Sequence, residues 1–282
     1  MVSVGQEALF DADRRTRSSW SASGRRPSVT LTCDVGNSHS VVGLWKDGQL
    51  IETLRLATDG RRTADEWRIL LTAWLRSLAA GGISRAAICS VVPTANEAIG
   101  EALRSLGVDA PHSLNSASQL NFGFDYPAPQ TLGADRLADM IAAVHYFGKN
   151  CVVLDFGTAI TFSVVSDGKF RGGVIAPGIT SSLEALFSAT AKLPKIAFRR
   201  THKAIGSSTA ESIEIGAYVG WRGVVREILS EIRRELPQGG AGYKVIATGG
   251  ISESLDFAPE FFDVVDKNLT LKGLYLSVSD AY

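Results

Sequence analysis

Residues 31–50, LTCDVGNSHSVVGLWKDGQL, and residues 152–170, VVLDFGTAITFSVVSDGKF, repeat one pattern. An apolar run ends on an aspartate, a glycine and a small polar residue follow, and a second apolar run leads through a D-G turn into a third strand. With Asp34 laid on Asp155, 121 residues further on (155 − 34), Gly36 falls on Gly157, Asn37 on Thr158, and Gly48 within one residue of Gly168. An aspartate and a glycine at one such turn are explained by backbone geometry alone. Their recurrence in order at half-chain distance points instead to two copies of a domain led by three antiparallel strands, facing each other. A tight turn presents backbone N–H groups and a small hydroxyl or amide as an anion cradle, and its aspartate can hold a cation against the same anion. Two cradles across a cleft would grip neighbouring phosphates of one nucleotide.

The 282 residues allow two such domains, because a single core stops growing at roughly 250 residues. Composition narrows the partners. The 29 lysines and arginines balance 29 aspartates and glutamates, so no global field draws the chain to nucleic acid or an anionic membrane. Any phosphate must be held locally. No run approaches the roughly 18 apolar residues of a membrane helix. Cys33, Cys89 and Cys151 each lie in or beside an apolar run and form no C-x-x-C, which reads as buried thiols in a reducing compartment. His39, His112, His145 and His202 share no metal-ligand spacing. The first 28 residues carry Arg14, Arg15, Arg17, Arg25 and Arg26 among serines, but Glu7, Asp11 and Asp13 and the lack of a hydrophobic stretch argue against a targeting peptide. A flexible arm is expected over residues 1–28.

Between and after the repeats the periodicity alternates. Trp67, Leu70, Leu71, Trp74, Leu75 and Leu78 recur at helical spacing until Gly81, AAICSVVP reads as a buried strand, and NEAIGEALRSLG as a second helix. Leu137, Met140, Ile141, Val144 and Phe147 mark one face of a helix that begins GADR, so Asp135 and Arg136 fall in its first turn. After the second repeat, Ser181 and Glu184 have capping-box spacing, and a long helix is predicted over 209–235. The strand in YKVIATGG ends on paired glycines, where a flat base or ribose could approach the backbone. The domains expected are 29–148 and 149–282, hinged at FGKN near 148–151.

In this order and spacing, DVGNSHS, RRTADEW, SVVP, GADRLAD, DFGTAITF, GGVIAPGITSSLEALFSATAKLP and ATGG resemble the type III pantothenate kinase family. That family lies within the superfamily of acetate and sugar kinases, heat-shock chaperones and actin. The resemblance covers about residues 29–280. It implies an α/β fold of two duplicated ribonuclease-H-like (actin-like ATPase) domains with a nucleotide cleft between them. The activity implied is ATP-dependent phosphorylation of pantothenate to 4'-phosphopantothenate, the reaction that begins coenzyme A synthesis. By the same resemblance, Asp34, Val35, Gly36, Asn37, Ser38 and His39 meet ATP from the first hairpin, Thr158 meets it from the second, and Gly249 and Gly250 lie at its adenosine end. Tyr126, Gly133, Ala134, Asp135, Arg136 and Thr209 match the pantothenate-binding positions, with Asp135 as general base. Asp155 matches the site of a monovalent cation, K+ or NH4+, which acts alongside the Mg2+ that accompanies ATP. The resemblance also implies a cytoplasmic homodimer that engages neither nucleic acid nor membrane. Many relatives have threonine where Ser38 and Ile160 stand, and YPAPQTLGADR departs from their usual wording before the GADR helix.

The chemistry of Asp135 is read directly. Phosphoryl transfer to an alcohol needs in-line placement, counter-charge on the phosphates and a destination for the hydroxyl proton, and a carboxylate in the first turn of a helix can take that proton. Arg136 either offers a planar fork to a substrate carboxylate or pairs with Asp139 along its helix. Two rivals stand beside this reading: another small-molecule kinase of the superfamily, and a non-catalytic nucleotide-dependent regulator. Retention of Asp34, Asp135 and Asp155 argues against the regulator.

Overall fold

The computed structural model describes residues 29–255 and 258–279, and the arm expected over residues 1–28 lies outside them. The first repeat folds as β1 (Val29–Val35), β2 (His39–Lys46), β3 (Gln49–Ala57), α1 (Ala64–Ser77), β4 (Ile83–Ser90), α2 (Pro93–Ser105) and β5 (His112–Ser113). A short strand β6 (Gly123–Phe124) and helix α3 (Ala134–Phe147) follow. The second repeat gives β7 (Cys151–Phe156), β8 (Ala159–Ser166), β9 (Lys169–Pro177), α4 (Ile179–Ser188), α5 (Thr209–Glu235), β10 (Lys244–Thr248), α6 (Ala258–Phe261), β11 (Val264–Val265) and α7 (Leu269–Leu276).

One sheet runs β3-β2-β1-β4-β5 and the other β11-β10-β7-β8-β9-β6. In each repeat the first three strands are antiparallel and the fourth and fifth are parallel to the first. Both sheets therefore have the ribonuclease-H-like order expected from the duplication, with β6 added parallel to the edge of β9. The copy extends to fine detail. Asp47 and Gly48 have φ of 50° and 85°, Asp167 and Gly168 49° and 71°, a left-handed pair that suits a two-residue hairpin between twisted strands. Each following ladder shifts register at the matching place, Leu44/Trp45 and Val164/Val165. The copies differ in the loop after the acid. Val35 pairs with Ser40 but Phe156 with Ile160, so the first loop is one residue longer, which is why the turn glycines miss alignment by one.

Strand parity assigns the faces. Leu31, Cys33 and Val35 pack on α1 and α2, while Val152, Leu154 and Phe156 pack against Val225 and Leu229 of α5. The opposite faces turn inward onto α3 and α7, giving α/β/α/β/α layers. Leu137, Met140 and Ile141 of α3 share a core with Cys151 and Val153 of β7 and with Ala87 and Cys89 of β4. Trp45 stacks on Tyr275 with ring centroids 4.6 Å apart, and its Nε1 donates to Thr32 Oγ1 at 2.9 Å, tying the first sheet to α7. Asp34 and Asp155 have the inward parity and stand near the ends of β1 and β7, at one mouth of the space between the sheets.

Two local expectations are revised, and one short strand was not foreseen. Helix α1 starts on a Thr63–Glu66 capping box but stops at Ser77, well before Gly81. The first residue beyond its cap, Ala79, already has φ of 47°. Helix α4 begins at Ile179 behind Gly178, so Ser181 lies inside it and forms no capping box; its hydroxyl donates to the Thr158 carbonyl at 2.9 Å instead. Strand β6 carries only two residues, too few to show a period. Among the described residues no helix is long and apolar enough to cross a membrane.

Candidate active site

The two hairpin loops meet tip to tip, with Ser38 Oγ and Thr158 Oγ1 3.0 Å apart. Each loop is closed by its glycine: the Gly36 N–H donates to the His39 carbonyl at 3.0 Å, the Gly157 N–H to the Ala159 carbonyl at 3.1 Å. Val35 is buried, while Asn37, Ser38 and His39 are exposed, leaving their polar atoms available to a ligand. Thr58 buttresses the first loop by donating to the Gly36 carbonyl at 2.8 Å. The second is buttressed from the GGVIAPG block, where the Gly178 N–H donates to the Thr158 carbonyl at 3.1 Å. Gly249, at φ 98°, follows β10 and packs so closely on Asp155 that a Cβ there would collide with the carboxylate. All of the expected nucleotide residues thus gather at one end of the inter-sheet space, on both sides of it.

Below the tips lie the acids. Burial pushes the Asp34 carboxyl from 3.8 to about 7, the Asp135 carboxylate adds to the rise, and a hydrogen bond from Cys89 and the charge of Arg55 oppose it. Burial likewise raises Asp155 from 3.8 to about 7, with Asp135 and Asp34 adding to it. No cationic side chain is among the groups acting on Asp155. Asp139, one helical turn beyond Asp135, is pushed well above the carboxylate range by burial and then by Asp155. Each unit of such a shift is about 1.4 kcal/mol against the ionised form. Ionising these groups together in the ligand-free state is therefore costly, and the site is built to receive positive charge.

The residues expected at the acceptor gather at the start of α3. Gly133 is its N-cap, Ala134 its first residue, and Asp135 Oδ1 accepts from the Arg136 N–H at 2.8 Å. Arg136 does not pair with Asp139. Its Nε donates to Ser163 Oγ at 3.0 Å, its Nη2 to the Phe162 carbonyl at 3.3 Å, and its Cζ lies 5.4 Å from the centroid of the Phe170 ring. Tyr126 meets the same Phe170 ring edge-on at 5.1 Å, so two expected substrate residues share one aromatic floor. Gly173 makes this possible, since a Cβ there would strike the Phe162 carbonyl and lie 2.7 Å from Arg136 Nη2. Asp139 accepts from Thr270 Oγ1 at 2.7 Å and thereby joins α3 to α7. Thr209 stands apart at the start of α5, behind the cap Ser208, and no hydrogen bond joins it to these groups. Near it, a cavity of about 530 Å³ is lined by Arg200, His202, Lys203, Tyr218, Arg222 and Glu260, and none of the four acids lines it.

The family model for type III pantothenate kinase matches residues 30–231. A type III pantothenate kinase of Acidiphilium cryptum is 39% identical over 253 residues, covering 88% of this chain and 93% of its own. One from Kosmotoga olearia is 36% identical over 248 residues, covering 87% and 94%. The chain belongs to the type III pantothenate kinase family. Its fold is also that of a Baf family transcriptional activator from Campylobacter jejuni, with a TM-score of 0.53 at 22% identity over 88% of this chain and 96% of that one.

In this member of the pantothenate kinase family, four residues given no place in the site by the sequence belong to the same inner surface. Cys89 pairs in register with Asp34, Arg55 stands one strand further along the same row beyond Val41, Thr248 pairs in register with Asp155, and the charge of Asp139 is felt with theirs. Cys89 Sγ donates to Asp34 Oδ1 at 3.3 Å. Strand parity could have placed Arg55, because Leu54 and Leu56 on either side of it face the outer core. Asp139 carried the helical i, i+4 spacing from Asp135. Cys89 and Thr248 gave no such sign, since their neighbours along the chain reveal nothing about which strand lies alongside.

Proposed function

We propose that this chain transfers the γ-phosphoryl group of ATP to the hydroxyl of pantothenate, yielding 4'-phosphopantothenate at the start of coenzyme A biosynthesis. The observation that carries this is the contact of the two hairpin tips, Ser38 on Thr158, directly over Asp34 and Asp155. A polyphosphate entering there meets N–H groups and hydroxyls from both lobes, with Gly249 and Gly250 leaving room for the adenosine. Asp135, at the N-terminus of α3, lies within electrostatic reach of both hairpin acids and takes the proton of the acceptor alcohol. Arg136 is held by two bonds and a ring face, so its remaining N–H groups are oriented before substrate arrives. We assign them to the pantothenate carboxylate, with Tyr126 closing the same pocket and Thr209 at its outer rim.

The donor set around Asp155 suits a monovalent cation. Thr248 Oγ1 is buried without a hydrogen-bond partner, and Thr248 lies beside Asp155 on the inner face, so a carboxylate and an idle hydroxyl are offered together. Asp155 and Thr248 would hold K+ or NH4+ there, which would supply positive charge beside Asp155 and offset the phosphates. Mg2+ enters with ATP, held by phosphate oxygens and water as is usual for this ion, and Asp34 is the protein carboxylate nearest to it in this assignment.

Exposed apolar residues on α4, on α5 and in the segment between them support a second copy of the chain as partner. Leu186 and Phe187 of α4 are open, Ile205 before α5 is 87% exposed, Val219 of α5 is 54% exposed, and Gly216, Gly220 and Gly223 leave a flat strip on α5. The assembly proposed is a homodimer in the cytoplasm, where the buried free thiols Cys33, Cys89 and Cys151 stay reduced. The lobes are taken to divide at Gly148, the C-cap of α3, with β6 reaching across to the second sheet.

The test is ADP release with and without pantothenate, set against acetate and sugar acceptors. Pantothenate alone should stimulate it, and Asp135→Asn should lower the stimulated rate by about 10²–10⁴-fold. Undiminished turnover in that variant rejects Asp135 as the base.

A further inference from the structure

Arg55 lies on β3, the edge strand of the first sheet, directly opposite Val41, which in turn lies opposite Asp34. Residues paired this way point to the same face, so the three form a row across the sheet on its inner side. Arg55 and Asp34 are two strand spacings apart, roughly 10 Å, a gap that the long arginine side chain spans. Its guanidinium reaches further still, into the other lobe: a Cβ placed on Gly250 would have Arg55 Nη1 and Nη2 as its nearest neighbours, at 3.5 and 3.7 Å. Among the described residues, the Arg55 side chain forms no ion pair and no hydrogen bond. Arg61, Arg68 and Arg222 are paired, with Asp59, Asp65 and Glu260, and unpaired exposed arginines such as Arg76 and Arg104 stand away from the hairpin acids, so what marks Arg55 is its place on the row of Asp34 and against Gly250. A guanidinium left unpaired on the row of a half-buried carboxylate, and lying against the glycines that end β10, is an anion receptor waiting for its anion.

We propose that Arg55 is a phosphate-binding residue of the nucleotide site, supplied by the first lobe to the outer phosphates beside Asp34, at the border with the adenosine end marked by Gly250. The assignment rests on the kinase reading and adds to it a cation built into the chain. It also gives the lobes a charge link that forms only with nucleotide in place. The matching position in the second sheet, opposite Thr161 and on the row of Asp155, is Ile175, so only one lobe brings its own positive charge.

The experiment compares wild type with Arg55→Ala and Arg55→Lys by calorimetric titration of ATP and of AMP, alongside steady-state kinetics. Arg55 is exposed on an edge strand, so both variants should keep the wild-type Tm. For Arg55→Ala, ATP binding should weaken about 10–100-fold, the range for a charge-assisted hydrogen bond, while AMP binding changes less than about twofold. Arg55→Lys should recover part of the loss, because it restores charge without the fork. Equal losses for ATP and AMP, or no loss for either, overturn the proposal. A wild-type protein that binds ATP but shows no pantothenate-dependent ADP release overturns the kinase reading, and the binding comparison still decides Arg55 by itself.

Discussion

At the same height in the two sheets, Asp34 stands on a row with Cys89 and Arg55, and Asp155 on a row with Thr248 and Ile175. The backbones match down to the turn and the register shift, yet the side chains around the acids do not. The first acid receives a thiol hydrogen bond and the field of a guanidinium; the second receives neither and sits beside an idle buried hydroxyl. Duplication fixes where a carboxylate can stand, and later side-chain choices decide what answers its charge. In the proposed reading, one lobe carries its cation in the chain and the other takes one from solution.

That contrast can be broken most forcefully at the acids themselves. Asp34→Asn and Asp155→Asn should each lower kcat by about 10²-fold or more, the scale for removing one preorganised electrostatic contact. They should part company in salt. Asp34→Asn keeps its stimulation by K+ over Na+, and Asp155→Asn loses it; identical K+ titrations for the two variants would erase the distinction. A milder probe is Thr248→Val, which deletes the idle hydroxyl. The half-saturating K+ concentration should rise about 3–10-fold, as for one lost ligand-side hydrogen bond, while the Tm without cation or nucleotide does not fall. Smaller again are Ser38→Ala and Thr158→Ala. Each removes one hydroxyl from the tip contact, and KM for ATP should rise about 2–10-fold in either variant, with KM for pantothenate unmoved.

The last prediction concerns pH. Asp34 is raised in the folded state from 3.8 to about 7, so the folded protein holds more protons than the unfolded chain across that interval. Its contribution to stability is whole below about pH 4 and is lost as pH rises toward 7. In potassium-free buffer without nucleotide, Tm should therefore fall between pH 5 and pH 8, and Asp34→Asn should flatten the fall by a few degrees. A Tm that rises over the same range contradicts burial as the cause.

Much of the fold was legible because it was written twice. Strand, acid, glycine, strand and D-G turn recur, and a chance recurrence of that length is improbable in a way that one hairpin is not. The 209–235 helix was equally plain, since 27 residues sample the helical period many times over. What escaped was short or relational. The two residues of β6 hold no period, and Ser181 matched a capping box in spacing while its hydroxyl was taken by Thr158 from another element. Arg136 had a partner of the right sign three residues along its helix, at Asp139. The structure gives it Ser163 and the Phe162 carbonyl of β8 instead, while Asp139 accepts from Thr270 of α7.

By itself the sequence determined the alternation of strands and helices, the pairing of two like lobes, and which acids stand at strand ends. Each of these follows from local periodicity and turn chemistry, which act over a few residues. Only the tertiary structure decided that Ser38 touches Thr158, that Cys89 serves Asp34, and that Arg55 reaches Gly250 from the opposite lobe. Those contacts join residues far apart in the chain, and their distances are set by how two sheets close on α3 and α7.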